Sequence, residues 1–225
     1  MNRNRLLGAA ACGVLAATTV LSGPAMAGGN HSHGKGHSHS KGHGHSHAGK
    51  TTHVHAKLHE LNNSGAYGRA KVAVRGTGLD VSYRAKGLLA GAPHAVHIHY
   101  GEEARHECPT LKDDTNRDGR LTTLEGVPAY GPIVVSLTTS GDTSPASGLA
   151  VDRFSTAPKG SIKYDRHIVT TRDTAADIRD GEAVLVIHGV DHNHNGSYDF
   201  GAGPSELDPA LPAEATDTAA CGVLR

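Results

Sequence analysis

Apolar and polar side chains alternate along residues 68–76 (Ala70, Val72 and Val74 against Arg69, Lys71 and Arg75) and again along residues 79–85. Strict alternation is the signature of a half-buried strand, and Gly76-Thr77-Gly78 between the two runs supplies a turn, so the pair predicts a hairpin. Further strand candidates are residues 95–100, 133–138, 149–154, 161–164 and 183–190, with glycine and proline in the intervals. Only residues 174–179 look briefly helical. Seven or eight strands within one domain's length predict an all-β fold, a Greek-key β-barrel or sandwich, over residues 58–225. With no tryptophan and an aromatic share of 4%, its core must be built from valine, leucine, isoleucine and alanine.

The pattern breaks down ahead of residue 58. Residues 28–57 are mainly glycine, serine, lysine and histidine, and hold half of the chain's 18 histidines: His31, His33, His37, His39, His43, His45, His47, His53 and His55. Without apolar side chains such a segment forms no core and is expected to be a disordered arm. Its His-x-His spacing brings neighbouring imidazoles within reach of one ion, so it reads as a collector of Cu(II), Zn(II) or Ni(II); a plain solubilising linker is the alternative. Residues 1–27 have the composition of an export signal: Arg3 and Arg5, an apolar run over residues 6–21, and Ala25-Met26-Ala27 as the cleavage site. Cleavage after Ala27 would yield a secreted, extracellular or periplasm-like product with no membrane anchor.

That compartment changes the reading of the cysteines. Of the three, Cys12 lies in the signal, leaving Cys108 and Cys221 to form a disulfide where one can persist. Charge is balanced, 22 basic against 22 acidic residues, and losing Arg3 and Arg5 makes it 20 against 22. No basic field points to nucleic acid or to an anionic membrane.

Candidate chemistry concentrates at His94-Ala95-Val96-His97-Ile98-His99. In a strand, His97 and His99 share a face while Val96 and Ile98 take the other, so the two imidazoles can share one metal ion. His188, ending the apolar run Val184-Leu185-Val186-Ile187, is the candidate third ligand. Imidazole suits copper, zinc, iron and nickel alike. A second chemistry follows Cys108. Asp114, Asn116, Asp118, Gly119 and Glu125 fit the Asp-x-Asn-x-Asp-Gly-x5-Glu calcium loop, with Arg120 contributing its backbone carbonyl. Asp191, Asn193, Asn195 and Asp199 begin a similar loop that has Ala202 in the place of the closing glutamate. An ordinary solvated turn is the alternative in both cases.

Four of these motifs, in this order, resemble the copper/zinc superoxide dismutase family. Gly87-Leu88 and the His94–His99 run resemble the family's Gly-Leu followed by His-Gly-Phe-His-Val-His; Cys108 falls at its first half-cystine; Val186-Ile187-His188 resembles its Val-Val-His; and Ala220-Cys221-Gly222-Val223-Leu224 resembles its closing Ala-Cys-Gly-Val-Ile. The resemblance implies a Greek-key barrel with copper on His97, His99 and His188, and some exported bacterial members are similar in carrying a histidine-rich arm. The chain departs from the family in having no histidine between Cys108 and His167, where the bridging and zinc ligands belong, so the zinc site is expected to be absent. It also has Thr218 where the family has a superoxide-guiding arginine; Arg105 and Arg225 are the candidates to replace it. Metal ions are thus the expected partners, with superoxide if the copper is catalytic. Three functions follow: copper-dependent dismutation, non-catalytic copper binding or buffering, and a calcium-stabilised surface or matrix module.

Overall fold

A computed structural model describes residues 49–225. The expected signal and the arm histidines His31 to His47 lie outside the described residues.

Eight strands form one antiparallel sheet that curls into a half-barrel, in the order β5-β4-β7-β8-β1-β2-β3-β6. They are β1 (Thr52–Glu60), β2 (Tyr67–Arg75), β3 (Gly78–Lys86), β4 (Val96–His99), β5 (Ile133–Ser136), β6 (Ser161–Val169), β7 (Val184–His188) and β8 (Thr218–Val223). Helices are short: α1 (Thr123–Tyr130), α2 (Arg172–Asp180) and α3 (Ala213–Thr216).

The β2–β3 hairpin forms at the expected turn, Arg75 opposite Gly78. Four assignments change, the first being that helix is not confined to residues 174–179: α1 also forms over Thr123–Tyr130. Residues 149–154 form a 3-10 turn over Val151–Arg153 instead of a strand. The sheet takes its eighth member from β8, whose apolar residues lack a polar alternation because both of its faces are covered. The barrel also begins earlier than residue 58. His53 and His55, expected in a disordered arm, lie on β1, because Val54, Ala56 and Leu58 alternate with them and enter the core. The period-two signal was present, masked by histidines on its solvent face.

The core takes one side chain in two from each strand: Val54 and Leu58, Val72 and Val74, Leu79 and Val81, Val96 and Ile98, Leu185 and Ile187. Tyr83 and Tyr164 add the aromatic bulk, stacked at 4.9 Å. The two edge strands are tied by side chains: Tyr164 Oη donates to Thr138 O (2.9 Å), just past β5, and Arg166 Nη1 donates to the same carbonyl (2.7 Å).

β4 and β7 are buried on both faces. Ile98 and Leu185 point into the barrel, while His97, His99, Val184, Val186 and His188 occupy the opposite face. There Gly148 and Phe154 meet His97, and Tyr130 of the loop over residues 100–132 packs with His99, Val184 and Val186. That loop is pinned by the Cys108–Cys221 disulfide, which joins it to β8 across 113 residues. Helix α1 within it starts on a capping box, Thr122 and Glu125 exchanging side-chain and backbone hydrogen bonds. Among the described residues no helix is long and apolar enough to cross a membrane.

Candidate metal centre

His97 lies opposite Val186, and His99 opposite Val184, in the β4–β7 ladder, so both imidazoles stand beside the side-chain row that ends in His188. A register shift between Ile187 and His188, where β7 meets β8, ends the regular ladder at His188. The result is a three-histidine group whose ligand atoms all lie within 4.8 Å of one another. Ring centroids are 5.0 Å apart for His97 and His188, 5.7 Å for His97 and His99, and 6.1 Å for His99 and His188. Three nitrogens bound to one ion at 2.0–2.1 Å lie ~3.5 Å apart, so only a small contraction separates this arrangement from a coordinated one.

The tautomers are set by backbone carbonyls. His97 Nε2 donates to Gly148 O (3.0 Å), His99 Nδ1 to Gly131 O (2.9 Å) and His188 Nδ1 to Thr216 O (2.8 Å). A carbonyl only accepts, so the proton of each ring sits on that nitrogen and the other carries a lone pair. Those other atoms, His97 Nδ1, His99 Nε2 and His188 Nε2, are buried and have no hydrogen-bond partner. Leaving a buried acceptor unpaired costs about 1–3 kcal/mol, so the trio is costly unless something electrophilic sits among it.

Burial also fixes the charge state. Relative exposure is 3%, 1% and 2% for His97, His99 and His188. Desolvation, followed by the proximity of the other two rings, holds His97 well below the ordinary imidazole range. Desolvation, followed by His188, lowers His99 to about 3, and desolvation lowers His188 to about 4. All three are therefore neutral donors at physiological pH, the form a metal requires.

Neighbouring elements hold the rings in place. Gly131 caps α1 at φ 85°, a conformation that aims its carbonyl at His99, and a β-carbon there would meet Gly101 N at 2.6 Å. Tyr130 packs on His99 at 4.4 Å and Phe154 meets His97 edge-on at 5.3 Å. Thr123 Oγ1 donates to Thr216 O (2.6 Å), steadying the carbonyl that orients His188. A cavity of about 360 Å³ reaches the site, lined by His97 and His188 along with Ala95, Ile133, Leu149 and Leu207.

His94 does not join the trio. It precedes β4, and its ring lies 2.8 Å from His188 O through Nδ1 and 3.3 Å from Leu89 O through Nε2. His106 and His167 also stand apart, the first against Gly101 O (2.8 Å), the second paired with Asp80 (2.7 Å). Neither candidate for the guiding cation lines the cavity. Arg105 pairs with Glu107 and Asp113, and the Arg225 backbone is paired with His55. Thr218 is buried, donating to Leu121 O (3.1 Å).

The calcium-loop residues close on their own backbone. Asp114 Oδ2 accepts from Gly119 N (2.9 Å), Asn116 Oδ1 from Asp118 N (2.8 Å), and Asp118 Oδ1 from Arg120 N (2.9 Å). Glu125 Oε1 accepts from Thr115 N (2.9 Å), holding the far end of the loop to its start. Asp114 Oδ1 is buried without a partner. In the second loop Asp191 accepts from Asn195 N and Gly196 N (3.1 and 2.8 Å), while Asp199 accepts from the Asn193 and Asn195 amides. The glutamate absent from position 202 has a spatial counterpart that sequence spacing could not reveal. Glu214, fully buried on α3, accepts from His192 N (2.9 Å) and Asp199 N (2.8 Å). His192 is at the second loop position, the place Thr115 has in the first, and its ring bonds Asp217 (2.9 Å). Among the described residues, the three-histidine group is the sole set of three or more histidine, cysteine or acidic side chains drawn together as closely as a shared ion requires.

No protein-family model and no curated protein matches the chain.

Proposed function

We propose that this chain is an exported copper-binding protein built on a superoxide dismutase-like barrel, with copper held by His97 Nδ1, His99 Nε2 and His188 Nε2. The observation that carries the reading is the set of three buried, neutral, unpartnered imidazole nitrogens on one point. An all-imidazole set without thiolate or carboxylate favours copper among divalent ions on intrinsic affinity. The strand order supports the family likeness: joined through the β5 and β6 edges, it runs 1-2-3-6-5-4-7-8, a Greek key. The disulfide is consistent with an extracellular location.

Dismutation of superoxide is the second reading, favoured by the cavity that reaches two of the three ligands. Bound copper would supply the one-electron exchange that converts two superoxide ions and two protons into oxygen and hydrogen peroxide. The chain's own residues limit that chemistry. Among the described residues no lysine or arginine lines the cavity, so none of them steers an incoming anion from its wall, and no carboxylate there supplies a proton. Copper holding is the principal reading because the three-histidine group supports it directly. Calcium on the 114–125 loop completes the reading. The orphaned Asp114 Oδ1 favours it, and the loop would be ordered by that ion beside the carbonyl of Thr216, through Thr123.

The test is metal analysis of the mature protein, followed by a superoxide assay on copper-loaded material. About one copper per barrel, lost in His97→Ala and in His188→Ala, is the expected result. Stoichiometry unchanged by both substitutions would reject the site, and a loaded protein no faster than free buffer would reject dismutation alone.

A further inference from the structure

The balanced composition conceals a strongly uneven surface. On the solvent face of β1, β2, β3 and β6, the ladder sets Lys57 opposite Arg69, Arg69 opposite Arg84, and Arg84 opposite Lys163. Four exposed cations thus stand side by side on four adjacent strands, spanning ~14 Å at the usual strand separation. Lys71 stands one row away. None of the five takes part in the ion pairs of the described residues. Like charges directly opposite on a sheet destabilise it, and here three successive cross-strand pairs do so without a carboxylate between them. The row is also not flat: a depression of about 540 Å³ runs over it, with Asp165 the one acidic residue at its lining.

We propose that this row is a docking surface for a linear acidic polysaccharide. A regular line of point charges fits a polymer that repeats its anionic group at a spacing comparable with the ~4.8 Å between strands. The two central arginines present planar forks suited to carboxylate or sulfate. A nucleic acid is a poorer fit, because single strands call for aromatic platforms on which bases stack, and no aromatic side chain belongs to the row. The inference does not depend on copper. It would hold an exported protein at an anionic matrix, on strands separate from β4 and β7, which carry His97, His99 and His188.

The test uses the full mature chain with a metal chelator present, so that the histidine arm carries no ion. Binding to heparin and to a polyuronate is measured against salt, with neutral dextran and single-stranded DNA as comparators. The expected result is binding to both acidic glycans, weakened by salt. The Arg69→Gln/Arg84→Gln double variant should lose at least tenfold in affinity and flatten the log–log salt slope by roughly two. Its melting temperature should be unchanged or higher, since the substitution relieves like-charge contacts. The Lys112→Gln/Arg172→Gln double variant makes the same change in net charge away from the row and should bind as the parent does. Absence of binding, an equal loss in both double variants, or DNA bound as tightly as the glycans and lost in parallel would each overturn the proposal.

Discussion

Copper should raise the stability of the folded barrel by an amount that its own residues make specific. In the metal-free protein three buried nitrogens lack partners, and a bound ion removes that deficit in the folded state alone. A ligand that binds only the folded state stabilises it by RT ln(1 + [L]/Kd), about 2.7 kcal/mol at a hundredfold excess over Kd and about 4.1 kcal/mol at a thousandfold. For a domain of this size each kcal/mol moves the midpoint by roughly 2–4 °C, so a thousandfold excess should raise the melting temperature by roughly 8–16 °C. The seven arm histidines His31 to His47 would bind copper as well, but ligands equally available to the folded and unfolded chain produce no shift. Thermal unfolding followed by fluorescence or circular dichroism, with and without copper, therefore reads the buried site selectively. The His188→Ala variant keeps the arm and removes one donor, and its shift should fall to within a degree or two of zero. A full shift retained in His188→Ala, or none in the parent at saturating copper, would refute the reasoning.

Three further outcomes follow from the same geometry. Because His99 and His188 are lowered to about 3 and about 4, the unfolded chain binds more protons than the folded one below pH 6.5. Metal-free stability should then decline as pH falls from 6.5 towards 4, His188 alone accounting for about 3 kcal/mol, as urea titrations at pH 7.5 and 4.5 would show. Gly131→Ala places a β-carbon against the backbone of Tyr100 and Gly101 at φ 85°, which should cost ~1–3 kcal/mol and misdirect the carbonyl that orients His99; competition with a calibrated chelator should show weaker copper binding. Reducing the 113-residue disulfide loop removes at most ~4–5 kcal/mol and frees the loop over the site, so chemical denaturation should show lower stability and copper should exchange faster.

The part of the fold legible in the sequence is the part with one wet face. β2 and β3 alternate because one face meets solvent, and the hairpin turn announces itself in glycine. β8 escaped because both its faces are buried, and the start of β1 escaped because histidines serve as its polar partners within a histidine-rich stretch. At the site, the period-two spacing of His97 and His99 was readable and His188 followed from its strand. What orients them was not, since the carbonyls of Gly148, Gly131 and Thr216 carry no sequence signature and come from three separate loops. Glu214 was hidden for the same reason, standing outside the motif that its loop interrupts. The cationic row was invisible in a balanced charge count because it depends on register between four strands.

The most direct measurement is an anomalous difference map at the copper edge from crystals of the copper-loaded mature protein. One peak, ~2.0–2.1 Å from His97 Nδ1, His99 Nε2 and His188 Nε2, is the result this account requires. A map with no density among these three atoms, or with copper placed only on other histidines, would contradict it.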